Sequence, residues 1–272
     1  TTADGFVAPG SGFGISTGTT ANGNDFYDGG MLLAVDGVAF VNPDSTVDLT
    51  GNTVTTDTVT NIIPGVNAQI KYTFMTTRAT VRAVYTLTNT TGSAISTSAM
   101  VYGNLGSDGS TTVQATSSGD AVIEDADVWI ITDDNTTVSP TSDGGDPTST
   151  FATHGANATV VPVTAQKPGA GDDYFGYRYD VTIPAKSTVR IMVFNEMSND
   201  VPTALANASD YESANAADAA GLLEGMTAAE LETVVNYKPT YTSENNSGIG
   251  ATGLSVLFSM LGVLGFFRSR KK

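Results

Sequence analysis

The chain has 272 residues, 28 of them acidic and 12 basic, with 40% hydrophobic content and no cysteine. The lack of cysteine excludes disulfides, thiol nucleophiles and cysteine-built zinc sites. A net charge of −16 excludes a nucleic-acid binder, which needs the opposite sign to meet phosphates. Four of the basic residues follow Phe267, so residues 1–267 hold 8 basic against 28 acidic residues, an acidic face that suits an exported protein.

Residues 1–30 are rich in Gly and small polar residues and read as loop. Met31–Val35 and Val38–Val41 then read as short strands. Asp36-Gly37 between them predicts a two-residue hairpin, because both turn positions need positive φ. Val47–Leu49 and Val54–Val59 flank a Gly51-Asn52 turn. In Thr80–Thr88, paired with Ala68–Thr76, the residues Val81, Ala83, Tyr85 and Leu87 point one way and Arg82, Val84 and Thr86 the other. Further strands are predicted at Ala94–Tyr102, Thr111–Ala115, Val128–Thr132, Thr159–Thr164, Tyr174–Ile183 and Ser187–Met197. So many short strands, closely punctuated by turns, predict a mainly β fold, an antiparallel β-sandwich over residues 1–202.

The composition changes near Pro202. Residues 203–238 read as a helical segment docked on the sandwich, with a helix over Asp218–Glu224 stopped by Gly225. Thr227-Ala228-Ala229-Glu230 is a capping box, in which the Thr hydroxyl and the Glu carboxylate each satisfy an orphan backbone donor. Leu231, Val234 and Val235 follow as its apolar face.

Residues 239–248 read as a polar linker, and 249–272 as a C-terminal hydrophobic helix with a basic end. The uncharged run Ile249–Phe267 spans nineteen residues; as a helix it reaches roughly 28 Å, near the hydrocarbon thickness of a bilayer. Arg268, Arg270, Lys271 and Lys272 belong on the cytoplasmic side by the positive-inside rule, which leaves the body outside. A buried helix of a soluble domain rarely runs this long without a charge. The polar spacer, the loose Gly-rich Ser247-Gly248-Ile249-Gly250, the apolar span and the basic end together resemble the C-terminal sorting signals of exported bacterial proteins. The Gly-rich rhombosortase (GlyGly-CTERM) type is similar, and the exosortase (PEP-CTERM) type shares the layout, although no Pro-Glu-Pro is present. The resemblance implies membrane insertion, at least transiently, and a sorting protease as partner.

The body carries a second resemblance. Tyr85-Thr86-Leu87-Thr88-Asn89-Thr90-Thr91-Gly92, Asn104-Leu105-Gly106-Ser107-Asp108-Gly109, Asp127-Val128-Trp129-Ile130-Ile131-Thr132-Asp133 and the stretch from Gly221 to Tyr237 are similar to bacterial exported proteins without an assigned activity. It implies a secreted β-sandwich and no catalytic residues. The strands around Leu87-Thr88-Asn89-Thr90 also resemble large sandwiches beside sugar-processing enzymes, a likeness of fold alone.

Candidate chemistry is sparse. His154 is the single histidine, and no Gly-x-Ser-x-Gly elbow accompanies it, so a structural histidine is expected. Hard oxygen ligands for calcium occur at Asp25 and Asp28 and at Asp143 and Asp146, in clusters without EF-hand spacing that also suit plain turn chemistry. No cofactor is required. Glu196 and Asp127 are the carboxylates to consider for a glycosidase, which needs two such groups ~5–9 Å apart. Trp129, Tyr174, Tyr177 and Tyr179 could stack on sugars, but the alternation around Tyr177 favours core. Lys71, Arg78, Arg82, Arg178 and Arg190 are too scattered to make a basic patch. The sequence thus predicts an extracellular, membrane-tethered or sorted surface protein with a binding or structural role toward a glycan or protein ligand. The alternatives are an extracellular glycan-acting hydrolase and a self-assembling surface-layer or filament subunit.

Overall fold

The computed structural model describes residues 12–16, 18, 25–44, 46–134, 146–169 and 171–240. It is mainly β, with antiparallel sheets and few helices. Among the described residues, fourteen strands form in chain order: β1 (Tyr27–Val35), β2 (Val38–Ala39), β3 (Asp48–Thr50), β4 (Thr53–Thr55), β5 (Val59–Ile63), β6 (Val66–Phe74), β7 (Thr80–Asn89), β8 (Ile95–Leu105), β9 (Thr112–Thr116), β10 (Trp129–Asp133), β11 (Thr148–Ala152), β12 (Val163–Gln166), β13 (Tyr174–Ile183) and β14 (Thr188–Ser198). A five-stranded sheet runs β12, β13, β8, β1, β2. A nine-stranded sheet runs β3, β4, β6, β7, β14, β11, β10, β9, with β5 also on β6.

The strand pairs follow from the sequence pattern. Asp36 and Gly37 take φ of 46° and 77°, as the tight β1–β2 turn demands. β6 and β7 pair from Val66↔Asn89 to Phe74↔Val81, and β13 pairs with β8 from Tyr174↔Asn104 to Ile183↔Ile95. Ala83, Tyr85 and Leu87 point into the core between the sheets, where they join Leu33, Val101, Tyr179 and Ile191. The opposite face of β7 is covered over its first half, where Arg82 and Val84 are buried as well.

The cover over that face is the chain after β14. Helices α1 (Val201–Ala208), α2 (Ala214–Ala219) and α3 (Ala228–Thr233) form it, with a 3₁₀ turn at Ser209–Tyr211. α1 packs against β10, β11 and β14, and α3 against β14. Asp200 caps α1 through the Thr203 amide, Ser213 caps α2 through the Ala216 amide, and the Thr227–Glu230 capping box opens α3. The second helix therefore starts at its Ser cap and ends before Gly221, rather than running over Asp218–Glu224. Gly221, at φ 76°, turns the chain where the helix stops. Ala204, Tyr211, Ala217, Leu222, Val234 and Tyr237 are buried in this third layer.

Two other expectations shift. The Thr159–Thr164 strand forms later, as β12. β11 was not anticipated, since Thr-Ser-Thr-Phe-Ala shows no apolar alternation, yet all five of its residues are buried. No helix among the described residues is long and apolar enough to cross a membrane. The expected tail, with Gly248, Gly250, Arg268, Arg270, Lys271 and Lys272, lies outside the described residues, as does Asp143.

Candidate functional site

Glu196 projects from the outer face of β14, level with Thr80 of β7 and Thr150 of β11. The Asp200 cap starts α1 close behind it and brings Asn207 and then Tyr211 back over the carboxylate. Tyr211 and Ser198 donate their hydroxyls and Asn207 its amide to Glu196. Arg78, in the β6–β7 loop, places its Nε 3.8 Å from Glu196 Oε2 and its Nη1 2.9 Å from Asp210. Its guanidinium lies 5.1 Å from the centre of the Tyr211 ring. Burial, reinforced by the Glu196 charge, pushes the Tyr211 hydroxyl well above its ordinary value, so it stays a donor. Glu196 is 2% exposed and its oxygens are occupied.

Asp127 is equally buried and serves another loop. Its Oδ1 accepts from the Ser118 amide at 3.0 Å and the Ser117 hydroxyl at 3.2 Å, and its Oδ2 accepts from the Glu124 amide at 2.8 Å. It therefore closes the 117–128 loop. The registers Trp129↔Ala152 and Ala152↔Phe194 place Asp127 and Glu196 on opposite sides of one row, two strands apart. Strand geometry then separates them by roughly 15 Å. A glycosidase pair needs ~5–9.5 Å, so the fold does not bring the two carboxylates together.

His154 is buried beside Thr153, with Nδ1 2.9 Å from the Thr153 hydroxyl. Burial lowers its pKa to about 4, against the opposing pull of Asp127, so the ring is neutral at neutral pH. Of the aromatic candidates, Tyr177 and Tyr179 are core residues and Trp129 is buried. Tyr174 alone is exposed, at 37%.

Of the acidic residues expected to bind calcium, Asp25, Asp28 and Asp146 come near one another at the end of the sandwich where β1 begins and β8 ends. The Asp146 carboxyl is pushed up to about 6 by burial and then by Asp134, Asp25, Asp108 and Asp133. Burial and neighbouring acids also raise Asp28 and Asp173. Among the described residues, no three acidic or histidine side chains converge closely enough to hold a metal ion.

What sequence reasoning missed is a set of cations. Lys71 pairs with Glu230, and Arg190 donates to the Thr233 hydroxyl. Arg82, 1% exposed, donates to the carbonyls of Leu222 at 2.6 Å and Glu224 at 3.0 Å and to the Thr73 hydroxyl at 3.3 Å. These cations lie on one face of the nine-stranded sheet and, with Arg78 from the β6–β7 loop, bind the helical layer. The signal available in advance was strand parity, since Lys71 lies opposite Val84 and Arg82 opposite Thr73.

No family model matches the chain, and no curated protein matches it in sequence. Solved structures similar in part include heparan sulfate lyase HepC from Pedobacter heparinus, at 10% identity and TM-score 0.36 over 61% of this chain. Another is a galactose mutarotase related enzyme from Lactobacillus acidophilus, at 12% identity and TM-score 0.31 over 59% of this chain and 74% of that one. The chain spans 24% of the length of the lyase. These structural neighbours are carbohydrate-acting enzymes.

Proposed function

We propose that this chain is a cell-surface β-sandwich module with a binding or structural role, exported and held or sorted through its C-terminal tail. One observation carries the choice against a glycan-cleaving enzyme. Glu196 and Asp127 are both buried and fully engaged as acceptors, in places roughly 15 Å apart by strand geometry. A carboxylate that must protonate a leaving group or activate water needs a free oxygen facing substrate. The uncharged run from Ile249 to Phe267 and the basic residues behind it support the tether.

Two experiments test the reading. Fractionation of cells that express the chain with and without residues 249–272 should place the long form in the membrane fraction and the short form in the exported soluble fraction. Recovery of both in the cytoplasm would overturn it. A glycan array and a hydrolysis screen on residues 1–240 should give binding without turnover. Release of reducing ends, lost in Glu196→Gln, would establish the hydrolase instead.

A further inference from the structure

The last four residues of the helical layer, Val234–Tyr237, are held more densely than any helix in it. Val235 donates its amide to the Arg190 carbonyl of β14 at 2.9 Å. Its own carbonyl accepts from the amides of Thr159 at 2.8 Å and Val160 at 3.1 Å. Asn236 does the same work with its side chain. Its Oδ1 accepts from the Met192 amide at 2.8 Å, while its Nδ2 donates to the carbonyls of Met192 at 2.6 Å and Thr153 at 2.7 Å. Its backbone carbonyl accepts from the Gly155 amide at 2.8 Å. Tyr237 donates its hydroxyl to the Tyr211 carbonyl at 3.1 Å and sets its ring edge-on to Phe194, 5.3 Å between centres. A Cβ at Gly155 would come within 2.8 Å of that Tyr237 ring and 3.3 Å of the Ser213 backbone.

Short helices such as α1, α2 and α3, each eight residues or fewer, are marginal alone and rely on docking. The cationic face reaches α3 through two single side chains, Lys71 to Glu230 and Arg190 to Thr233. Asn236 differs, because one fully buried amide bridges β14 and the Thr153–Gly155 stretch, with both its donor and its acceptor engaged in the interior.

We propose that Val234–Tyr237 is a lock, with Asn236 as its bolt, which pins the 201–237 layer over the cationic sheet face as a strap that opens separately from the two-sheet core. Breaking the bolt frees the strap and leaves the sheets folded. The inference is independent of the membrane tail, since each contact in it lies within residues 153–237.

Asn236→Leu keeps the volume and removes the bridging amide. The only tryptophan, Trp129, lies on β10, against which α1 packs, and reports the strap directly. In the full chain, the variant should red-shift Trp129 emission and speed proteolysis within 201–233 by about tenfold or more. Hydrogen-exchange protection in β6, β7, β8 and β13 should stay as in the parent. Gly155→Ala attacks the same lock by displacing the Tyr237 ring and should give the same pattern. Unchanged strap protection in both variants would overturn the proposal. So would loss of protection in strap and sheets together, because the layer would then be an inseparable part of the core.

Discussion

The two charged regions of this protein are built from the same kinds of side chain and behave in opposite ways. On the covered face of the nine-stranded sheet, Glu196 and Asp210 meet Arg78, Glu230 meets Lys71, and Arg82 meets backbone carbonyls. Where β1 begins and β8 ends, Asp28, Asp146 and Asp173 face other carboxylates and have raised pKa values. A charge taken out of water must be matched, whereas charges left near water can repel one another at small cost. The buried network therefore specifies how the third layer docks, and the open end is an acidic surface under mutual strain.

Removing Glu196 should have the largest effect. Glu196→Ala leaves Arg78, Tyr211 and Asn207 facing a void under α1, and unfolding in urea should show a loss of ~3–5 kcal/mol. A loss below ~1 kcal/mol would mean that the network is hydrated and the contrast with the acidic end is small.

His154 should come next, and only in acid. Its folded pKa lies near 4, below the ordinary value of ~6.5. The unfolded chain therefore takes up the proton first as pH falls. This contribution is complete above pH ~6.5 and is lost progressively toward pH 4, to a total of at most about 3 kcal/mol. His154→Gln should flatten the urea midpoint across that window. An unchanged slope would place the acid sensitivity elsewhere.

Thr227→Ala opens the capping box of α3 and should cost ~1 kcal/mol, read as a small drop in thermal midpoint. The same drop with Ala at Ser213 would show that the two caps serve one layer.

The smallest effect has the opposite sign. Asp146 is raised to about 6, so its repulsion is absent at low pH and weakens the fold as pH rises from ~4 through 6. Asp146→Asn should stabilise the neutral protein by under about 1 kcal/mol after solvent screening, and sodium chloride should do the same for the parent. A larger rise in calcium chloride at equal ionic strength would mean that the carboxylates take up the ion together.

Much of the sheet structure could be read in advance. β7 and β13 declare themselves by period-2 alternation, the β1–β2 turn by Asp36-Gly37, and α3 by Thr227 and Glu230; Ser187–Met197 was legible as a strand, but its place between β7 and β11 was not. β11 could not be read, because Thr148, Ser149 and Thr150 look like surface residues and are buried between β10, β14 and the helical layer. Tyr177 was legible as core from its alternation. The partners of Glu196 were not, because Arg78 lies in a polar loop and nothing near it in the chain points to Tyr211.

Local order thus settles which residues extend, turn or coil, because φ/ψ preference and hydrophobic period act over a few neighbours. It also settles the overall sign of charge and the absence of thiol chemistry. Packing alone decides what the charged residues do. Strand parity puts Lys71, Arg82 and Arg190 on one face, with Arg78 in the loop beside it, and the strap laid over that face turns scattered cations into a docking surface. The reason is electrostatic: the energy of a charge depends on the water and partners around it, and those come from parts of the chain more than a hundred residues away, as with Arg82 and Leu222.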